Sequence, residues 1–204
     1  FTSRNIINIF SQNSYMIIVC AAVMIIMISG GCDLSIGWQV SVSAVVMGLA
    51  MTKWGLPIWV ACILGVVVCT LLGTLNGFLG VFLKTSTMIV TLATMAVFQG
   101  ISYILSDTKI INTPDAFRQI GNTNIGGWLP ISAIVMVVLL VIVSIVMSFS
   151  SIGRKVYAAG DNPEAARLAG IKVNRVKILA FTAAGVLVGI AAMLLASYVG
   201  SVSS

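Results

Sequence analysis

The sequence predicts an all-α membrane protein in which about six helices cross the bilayer. Only 16 of the 204 residues are charged, 11 of them basic and five acidic, and the mean hydropathy is +1.13. A soluble domain is about one-quarter charged, so these charges are too few to cover a water-soluble surface. Six stretches of 19 to 35 residues carry no charge at all. Each can supply one crossing, which needs about 20 apolar residues, and none shows the alternation of a barrel strand.

The six predicted spans follow the charge-free stretches in order. They cover 12–31, 36–52, 57–79, 87–106, 130–149 and 178–200. The second has only about 17 residues, so it can be tilted, broken or partly re-entrant. The whole chain, 1–204, is interpreted as one transmembrane domain. Both ends stop abruptly beside apolar stretches, from which we expect the sequence to be an internal piece of a longer chain.

The two long connections differ in charge, and this difference predicts the orientation of the chain. Residues 107–129 hold two acidic and two basic side chains, whereas 154–177 hold six basic and two acidic ones. Lys and Arg accumulate in cytoplasmic loops. We therefore predict that 150–177 lies in the cytoplasm and 107–129 outside, which puts Lys84 inside and Lys53 outside.

Two small-xxx-small patterns lie inside predicted spans, Gly73-x-x-x-Gly77 and Gly185-x-x-x-Gly189. Glycines four residues apart let a second helix approach closely. Such packing is typical of membrane helices in general and also of helices around a pathway that must move. With no histidine and no CxxC pair, the sequence predicts no metal site. The cysteines are interpreted as small apolar packers within spans; they are Cys20, Cys32, Cys62 and Cys69.

A few polar side chains interrupt the spans and are the candidates for a solute pathway or gate. Asp33 is the one acidic residue in an otherwise apolar region, where a charge is usually paired or functional. The glycines on either side indicate a helix break, so Asp33 can cap the next helix beside Ser35 or take part in the pathway. The other candidates can contact a sugar or form hydrogen bonds between helices; they are Asn76, Thr91, Thr94 and Gln99.

A short helix with both ends marked is predicted over 162–170 in the cytoplasmic connection. An asparagine can cap its start, and a proline suits the first helical position. A glutamate follows in the first turn, where the helix dipole favours it, and a glycine can end the helix. A helix this short is unstable alone, so it implies docking on a partner, on the membrane surface or on its own bundle. The residues are Asn162, Pro163, Glu164, Ala165, Ala166, Arg167 and Gly170.

Several of these segments resemble the motifs of one transporter family. The Glu-Ala-Ala-x-x-x-Gly run at 164–170 resembles the coupling motif of ABC importer permeases, and the wider run 153–171 resembles their ribose-type branch. The Gly-Gly-Cys-Asp-Leu-Ser-Ile-Gly run at 30–37 resembles that branch's Gly-Gly-Ile-Asp-Leu-Ser-Val-Gly signature. Residues 75–77 and 89–95 match its next two motifs in order.

The resemblance implies a ten-helix permease fold, whose first and final helices are absent from this sequence. It implies paired permease subunits in the bacterial inner membrane and a periplasmic binding protein that delivers a sugar or sugar-like solute. It also implies a cytoplasmic ATPase that binds ATP and Mg²⁺ and docks on 162–170. The chain has no G-x-x-x-x-G-K-[ST] run, so no cofactor is expected on it. It departs from the pattern at Cys32, where isoleucine is usual, and at Pro163, where an acidic residue is common.

The main alternative is a secondary transporter or channel that works without ATP. Such proteins usually couple to ions through several intramembrane carboxylates, and this sequence offers only Asp33. A purely structural membrane subunit is a second alternative. An enzyme is least favoured, because no cluster of catalytic side chains is present in the sequence. The expected surroundings are the lipid bilayer, with no nucleic-acid partner.

Overall fold

The structure, a computed structural model, describes residues 3–125 and 129–203, with side chains from residue 12 onward except residue 129. These residues are mainly helical, and the predicted all-α class is confirmed. The helices are α1 (Ser3–Ile28), α2 (Ile36–Thr52), α3 (Ile58–Phe82), α4 (Thr87–Ser106), α5 (Asp115–Asn122), α6 (Ile131–Phe149), α7 (Ser151–Asp161), α8 (Pro163–Leu168) and α9 (Val173–Val199). The strands are β1 (Ile111–Asn112), β2 (Asn124–Ile125), β3 (Leu129–Pro130) and β4 (Ser201–Val202).

The long apolar helices lie where the charge-free stretches predict them. Helices α2 and α4 match the predicted 36–52 and 87–106. Helix α9 begins before the predicted 178, because its first turns contain basic residues that a search for uncharged runs leaves out. By length and composition, α3, α4, α6 and α9 can each cross a membrane, while α2 and the described apolar part of α1, Gln12–Ile28, are shorter.

Helix α9 is the centre of the bundle. It packs against α1, α2 and α3, and its buried residues are mostly alanine, glycine, valine and leucine. Small residues let neighbouring helices approach closely, which provides packing contacts that the lipid does not. Helix α2 is continuous and largely buried, and it packs against α3, α4 and α9. The predicted break therefore lies before α2, at residues 29–35, and not within it.

Helices α3, α4 and α6 form exposed apolar sides of the bundle. Leu71 of α3, Ile104 of α4 and Ile145 of α6 are among many large apolar side chains that point outward. Contiguous apolar surface of this extent marks contact with a membrane or a partner. Together with the length of the helices, this surface makes the chain a multi-pass membrane protein.

Connections that are predicted to share a side of the membrane lie at the same end of the bundle. At one end β1 pairs antiparallel with β4, so that Ile111 lies opposite Val202, and α5 packs on α9. At the other end the α1–α2 connection meets α7, and the α3–α4 turn lies beside α8 and the start of α9. This grouping agrees with the predicted alternation of spans, and the choice of the cytoplasmic end stays a prediction.

The sequence predicts neither α5 nor α7, and both are short helices whose buried faces need a partner. Helix α5 buries Phe117 and Gly121 against α9. Helix α7 buries Val156 and Ala159 and packs against α1, α6 and α9. The Ser150 side chain caps α7 by accepting hydrogen bonds from two amides of its first turn. The described parts of both long connections are therefore folded structures.

Candidate functional site

Helix α8 forms where the capping pattern predicts it. The Asn162 side chain accepts hydrogen bonds from the amides of Glu164 and Ala165 at 3.1 and 3.0 Å, and Pro163 begins the helix. After Leu168 the chain turns at Gly170, whose φ is +82°. That left-handed conformation is one that glycine adopts without strain. The predicted short helix is confirmed at both ends.

One residue of α8 holds it to the bundle, and the rest of its surface is open. Ala166 is 4% exposed, whereas Leu168 is 91% exposed. Glu164, Ala165 and Arg167 are also exposed. Most of the predicted coupling residues therefore lie on a surface that a second protein can reach, whereas the buried Ala166 packs on the bundle instead.

Helix α7 connects α8 with the α1–α2 connection. Gly160, near the end of α7, lies against the carbonyl group of Ile28 with no space for a Cβ atom between them. Its Cα is 3.5 Å from the position that a Cβ on Gly30 would take. Backbone contacts this close are rigid, because packed interiors have no room to absorb a displacement. The end of α7 next to α8 is thus in direct backbone contact with the segment before α2.

The two glycine patterns face each other where α3 packs against α9. A Cβ on Gly185 would lie 2.9 Å from the carbonyl oxygen of Cys69, and one on Gly73 would lie 3.1 Å from the Cα of Gly185. Gly77 and Gly189 are equally restricted, each with an atom of the other helix 2.8 Å from a Cβ position. The predicted packing role of all four glycines agrees with this geometry.

Asp33 lies in the turn before α2 and is buried, at 8% exposure. Its Oδ1 atom accepts hydrogen bonds from the amide and the hydroxyl of Ser35 at 2.8 and 2.7 Å. Ser35 is the N-cap residue of α2, although its own side chain bonds no amide of the helix. Asp33 therefore fixes the start of α2, and the geometry supports the capping alternative.

Two side-chain amides complete the Asp33 cluster, which we define as Asp33, Ser35, Gln39 and Asn76. Gln39 of α2 donates from Nε2 to Asp33 Oδ2 at 2.9 Å. Asn76 of α3 donates from Nδ2 to Asp33 Oδ2 at 3.3 Å and to Ser35 Oγ at 2.8 Å. All four residues are buried. No basic side chain pairs with Asp33 in the described part of the chain, so hydrogen bonds from neutral groups satisfy the carboxylate.

Gln39 is the member of the cluster that sequence reasoning missed. It is four residues after Ser35, so the two share a helix face, and its Nε2 also donates to Ser35 Oγ at 2.9 Å. That spacing from a predicted cap was the available signal. Asn76 was predicted, and its Oδ1 atom is buried without a hydrogen-bond partner among the described residues.

Helix α4 holds the same turn from another side through two threonines. The amide of Cys32 donates to Thr87 Oγ1 at 2.9 Å, and the amide of Leu34 donates to Thr91 Oγ1 at 3.2 Å. Thr91 therefore lies beside the Asp33 cluster, and its candidate role in a pathway stays a prediction. Cys32 and Leu34 are thus bonded to α4, while Asp33 between them is bonded to α2 and α3.

The remaining pathway candidates do not join this group. Thr94 is buried, but its hydroxyl donates to the Thr91 carbonyl of its own helix at 3.3 Å. Gln99 is half-exposed and donates to the Tyr103 hydroxyl at 3.3 Å. Both bonds are local, since their partners lie within one turn along α4.

The cysteines divide by burial. Cys69 is buried beside Gly189, while Cys32 and Cys62 are half-buried. Cys20 is exposed, so its predicted packing inside the bundle is wrong for the described chain. It lies on a face of α1 that none of the described helices covers.

Comparison with known proteins places this arrangement in a family. Residues 5–204 match the family model described as branched-chain amino acid transport system / permease component. The chain is 34% identical over 197 residues to the ribose import permease protein of Bacillus subtilis. The aligned region covers 95% of this chain and 60% of the relative. It is 34% identical over 180 residues to the L-arabinose transport system permease protein of Escherichia coli, with 88% and 54% covered.

A third relative extends the similarity along nearly the whole chain. The autoinducer 2 import system permease protein of Photorhabdus luminescens is 28% identical over 203 residues, which are 98% of this chain and 60% of the relative. The chain therefore spans about 60% of the length of the curated relatives it matches. No solved structure matches it. The chain therefore belongs to the family described as branched-chain amino acid transport system / permease component.

Proposed function

We propose that this chain is part of the membrane permease of an ABC importer that carries a sugar or sugar-like solute. Relatives named as permeases for ribose, L-arabinose and autoinducer 2 support this solute class. A periplasmic binding protein delivers the solute, and a second permease subunit completes the pathway in the bacterial inner membrane. The ATP-independent alternative is not favoured by these relatives.

The observation that carries the proposal is the capped and exposed helix α8. It projects its polar and apolar side chains from an end of the bundle, and only Ala166 is buried. The chain contains no P-loop sequence, so energy comes from a separate ATPase that binds ATP and Mg²⁺ and receives α8 in a cleft. Leu168, which is 91% exposed, supplies the apolar contact that such docking buries.

Helix α7 supplies the route by which docking moves the membrane helices. Closure of the ATPase displaces α8, and the tight contact of Gly160 with Ile28 passes the displacement to the turn that holds Asp33. The Asp33 cluster joins that turn to α2 and α3. The helices on either side then rock together as a rigid unit between two states.

We place the contacts to the solute at hydroxyl and amide groups near this unit. Most donors of the Asp33 cluster are already used within it. Asn76 Oδ1 has no partner among the described residues, so we assign it as the acceptor of the cluster that receives a hydrogen bond from a sugar hydroxyl. Thr94 and Gln99 have only local hydrogen bonds, which a solute can replace.

Charge reversal on α8 tests the coupling role. We expect Glu164→Lys in the full-length permease to abolish uptake and to release the ATPase on purification. The reason is that the cleft of the ATPase then faces the ammonium group of a lysine where it bound the carboxylate of Glu164. Gly170→Asp strains the left-handed residue after α8 and has the same expected result. Asp115→Lys is the matched control, since Asp115 is exposed at the other end of the bundle.

The readouts are uptake of radiolabelled sugar by cells, insertion of the permease, and the amount of ATPase that co-purifies. Wild-type uptake by Glu164→Lys and Gly170→Asp would exclude α8 as the coupling element. Uptake that continues when ATP hydrolysis is blocked by vanadate would instead exclude the importer class.

A further inference from the structure

A polar cavity of about 500 Å³ lies between the α3–α4 turn, α8 and the beginning of α9. It lies at the end of the bundle that carries the predicted coupling segment. Its walls come from four places in the sequence that no single motif joins. The charged and hydrogen-bonding groups in its lining include Lys84, Thr85, Ser86, Arg167, Asn174 and Lys177.

The cavity has an uncompensated positive charge. Lys84, Arg167 and Lys177 line it, and none of them forms an ion pair in the part of the chain that the structure describes. No acidic side chain is among the lining residues. Cationic side chains that converge on one cavity without a partner repel each other, so an anion bound between them stabilises the arrangement.

The uncharged groups of the lining are suited to the oxygens of a phosphate. Ser86 and Thr85 bring hydroxyl donors from the α3–α4 turn. Asn174 and Lys177 are three residues apart and so share one face of α9. Arginine, lysine and hydroxyl groups are the usual partners of phosphate oxygens in proteins.

The surface beside the cavity is apolar. Phe82 and Leu83 end α3 at 69% and 55% exposure, and Met88 and Ile89 begin α4 at 50% and 63%. These side chains flank Lys84 and Ser86 in the sequence. A cationic cavity next to exposed apolar side chains at the end of a membrane helix is the environment of a lipid headgroup above its acyl chains.

We propose that this cavity binds the phosphate group of an anionic membrane phospholipid. The headgroup lies between Lys84, Arg167 and Lys177, and its acyl chains lie along the exposed apolar start of α4. Because Arg167 belongs to α8 and Lys84 to the α3–α4 turn, a bound headgroup joins the coupling segment to the membrane bundle. Inorganic phosphate is the other source of the same chemistry, and the experiment separates the two.

Native mass spectrometry of the full-length chain in detergent tests the site. Three probes are compared: phosphatidylglycerol, phosphatidylcholine with the same acyl chains, and inorganic phosphate without lipid. We expect phosphatidylglycerol to bind better than phosphatidylcholine, whose choline cation is repelled. The double variant Lys84→Gln/Lys177→Gln should weaken phosphatidylglycerol binding on the order of tenfold, since each basic residue near a membrane surface attracts anionic lipid measurably.

The matched control is Lys155→Gln/Arg175→Gln, which removes the same charge from the same end of the bundle outside the cavity. It should keep the preference for phosphatidylglycerol. One contrary result is that inorganic phosphate binds, that only Lys84→Gln/Lys177→Gln loses this binding, and that the chain shows no preference between the two lipids. This result would establish a phosphate site and overturn the lipid source. Equal binding of both lipids without phosphate binding, or equal loss in both double variants, would overturn the site.

Discussion

The buried turn before α2 and the exposed connection after α4 use polar side chains in opposite ways. In the turn, Asp33 is buried and accepts hydrogen bonds from Ser35, Gln39 and Asn76. In the connection, Asp107 is exposed and pairs with its near neighbour Lys109. Both are carboxylates with partners, but the first connects three segments of the chain and the second connects residues two positions apart.

This difference separates residues that determine the fold from those that are free to meet partners. A buried polar group that loses its partner is left without water, so its neighbours have to stay in place. An exposed group is hydrated in either case and contributes little to stability. Substitutions of the buried polar groups should therefore destabilise the chain, and substitutions of the exposed ones should change function or solution behaviour alone.

The largest effect is expected where α3 and α9 touch. Gly185→Leu brings a side chain against the backbone of Cys69 and Thr70, and backbone does not give way as a flexible side chain does. We expect a loss of at least about 3 kcal/mol in stability, measured as thermal unfolding in detergent. Gly100→Leu is the control, because nothing lies within 4 Å of a Cβ at that helical position. Similar unfolding temperatures for the two variants would contradict the proposed packing.

The next effect tests the buried carboxylate directly. Asp33→Ala removes the acceptor for the Ser35 amide and for the Gln39 and Asn76 side chains. Because these donors stay buried without an acceptor, we expect the free energy of unfolding to fall by about 2 to 3 kcal/mol. The matched control, Asp107→Ala, removes an exposed carboxylate and should leave the unfolding temperature unchanged. A comparable loss in both variants would show that burial does not distinguish the two sites.

Local signals in the sequence account for much of this picture. Uninterrupted apolar runs predict α2 and α4 to the residue, because the bilayer requires such runs and the flanking turns are polar. Asn162, Pro163 and Gly170 predict α8, because capping depends on neighbouring residues only. The contact between the two glycine patterns could be predicted, because small residues four apart allow two helices to approach closely.

Features that depend on contacts distant in the sequence could not be predicted. Helices α5 and α7 are short and amphipathic, and their buried faces are determined by α9 and α1, which lie far along the chain. The spacing of Gln39 from Ser35 indicates a shared helix face, but its contact with Asp33 depends on how the turn before α2 folds. Gln99 looks equivalent to Thr91 in the sequence, yet its rotation about α4 turns it toward Tyr103.

A smaller effect is expected at the cap of α8. Asn162→Ala removes the acceptor for the amides of Glu164 and Ala165, which should destabilise the helix by about 1 kcal/mol. Faster hydrogen exchange at those two amides measures this, while the unfolding temperature of the bundle should hardly change. Asn162→Asp keeps the acceptor and should restore slow exchange. Wild-type exchange in Asn162→Ala would mean that the cap does not hold α8.

The smallest effect concerns the exposed pair at the other end. The hydrogen bond from Lys109 and its charge hold the pKa of Asp107 below its ordinary value, and Asp107 raises the pKa of Lys109 in return. Because the pKa of this carboxyl is lowered in the folded form, its ionisation stabilises the folded form at pH values above the ordinary carboxyl pKa. This contribution is lost only as the pH falls through the lowered pKa. The raised lysine pKa acts at the alkaline limit, so the pair should stay intact between about pH 4 and pH 10.

Lys109→Gln should therefore return the pKa of Asp107 toward its ordinary value. Carbon-13 NMR of the Asp107 carboxyl measures this, and salt at about 1 M should reduce the shift in the wild type by screening. The unfolding temperature at neutral pH should not change, because both groups are fully hydrated. If Lys109→Gln instead unfolded the chain, the connection after α4 would carry the kind of stabilising polar contact that the structure assigns to the Asp33 cluster.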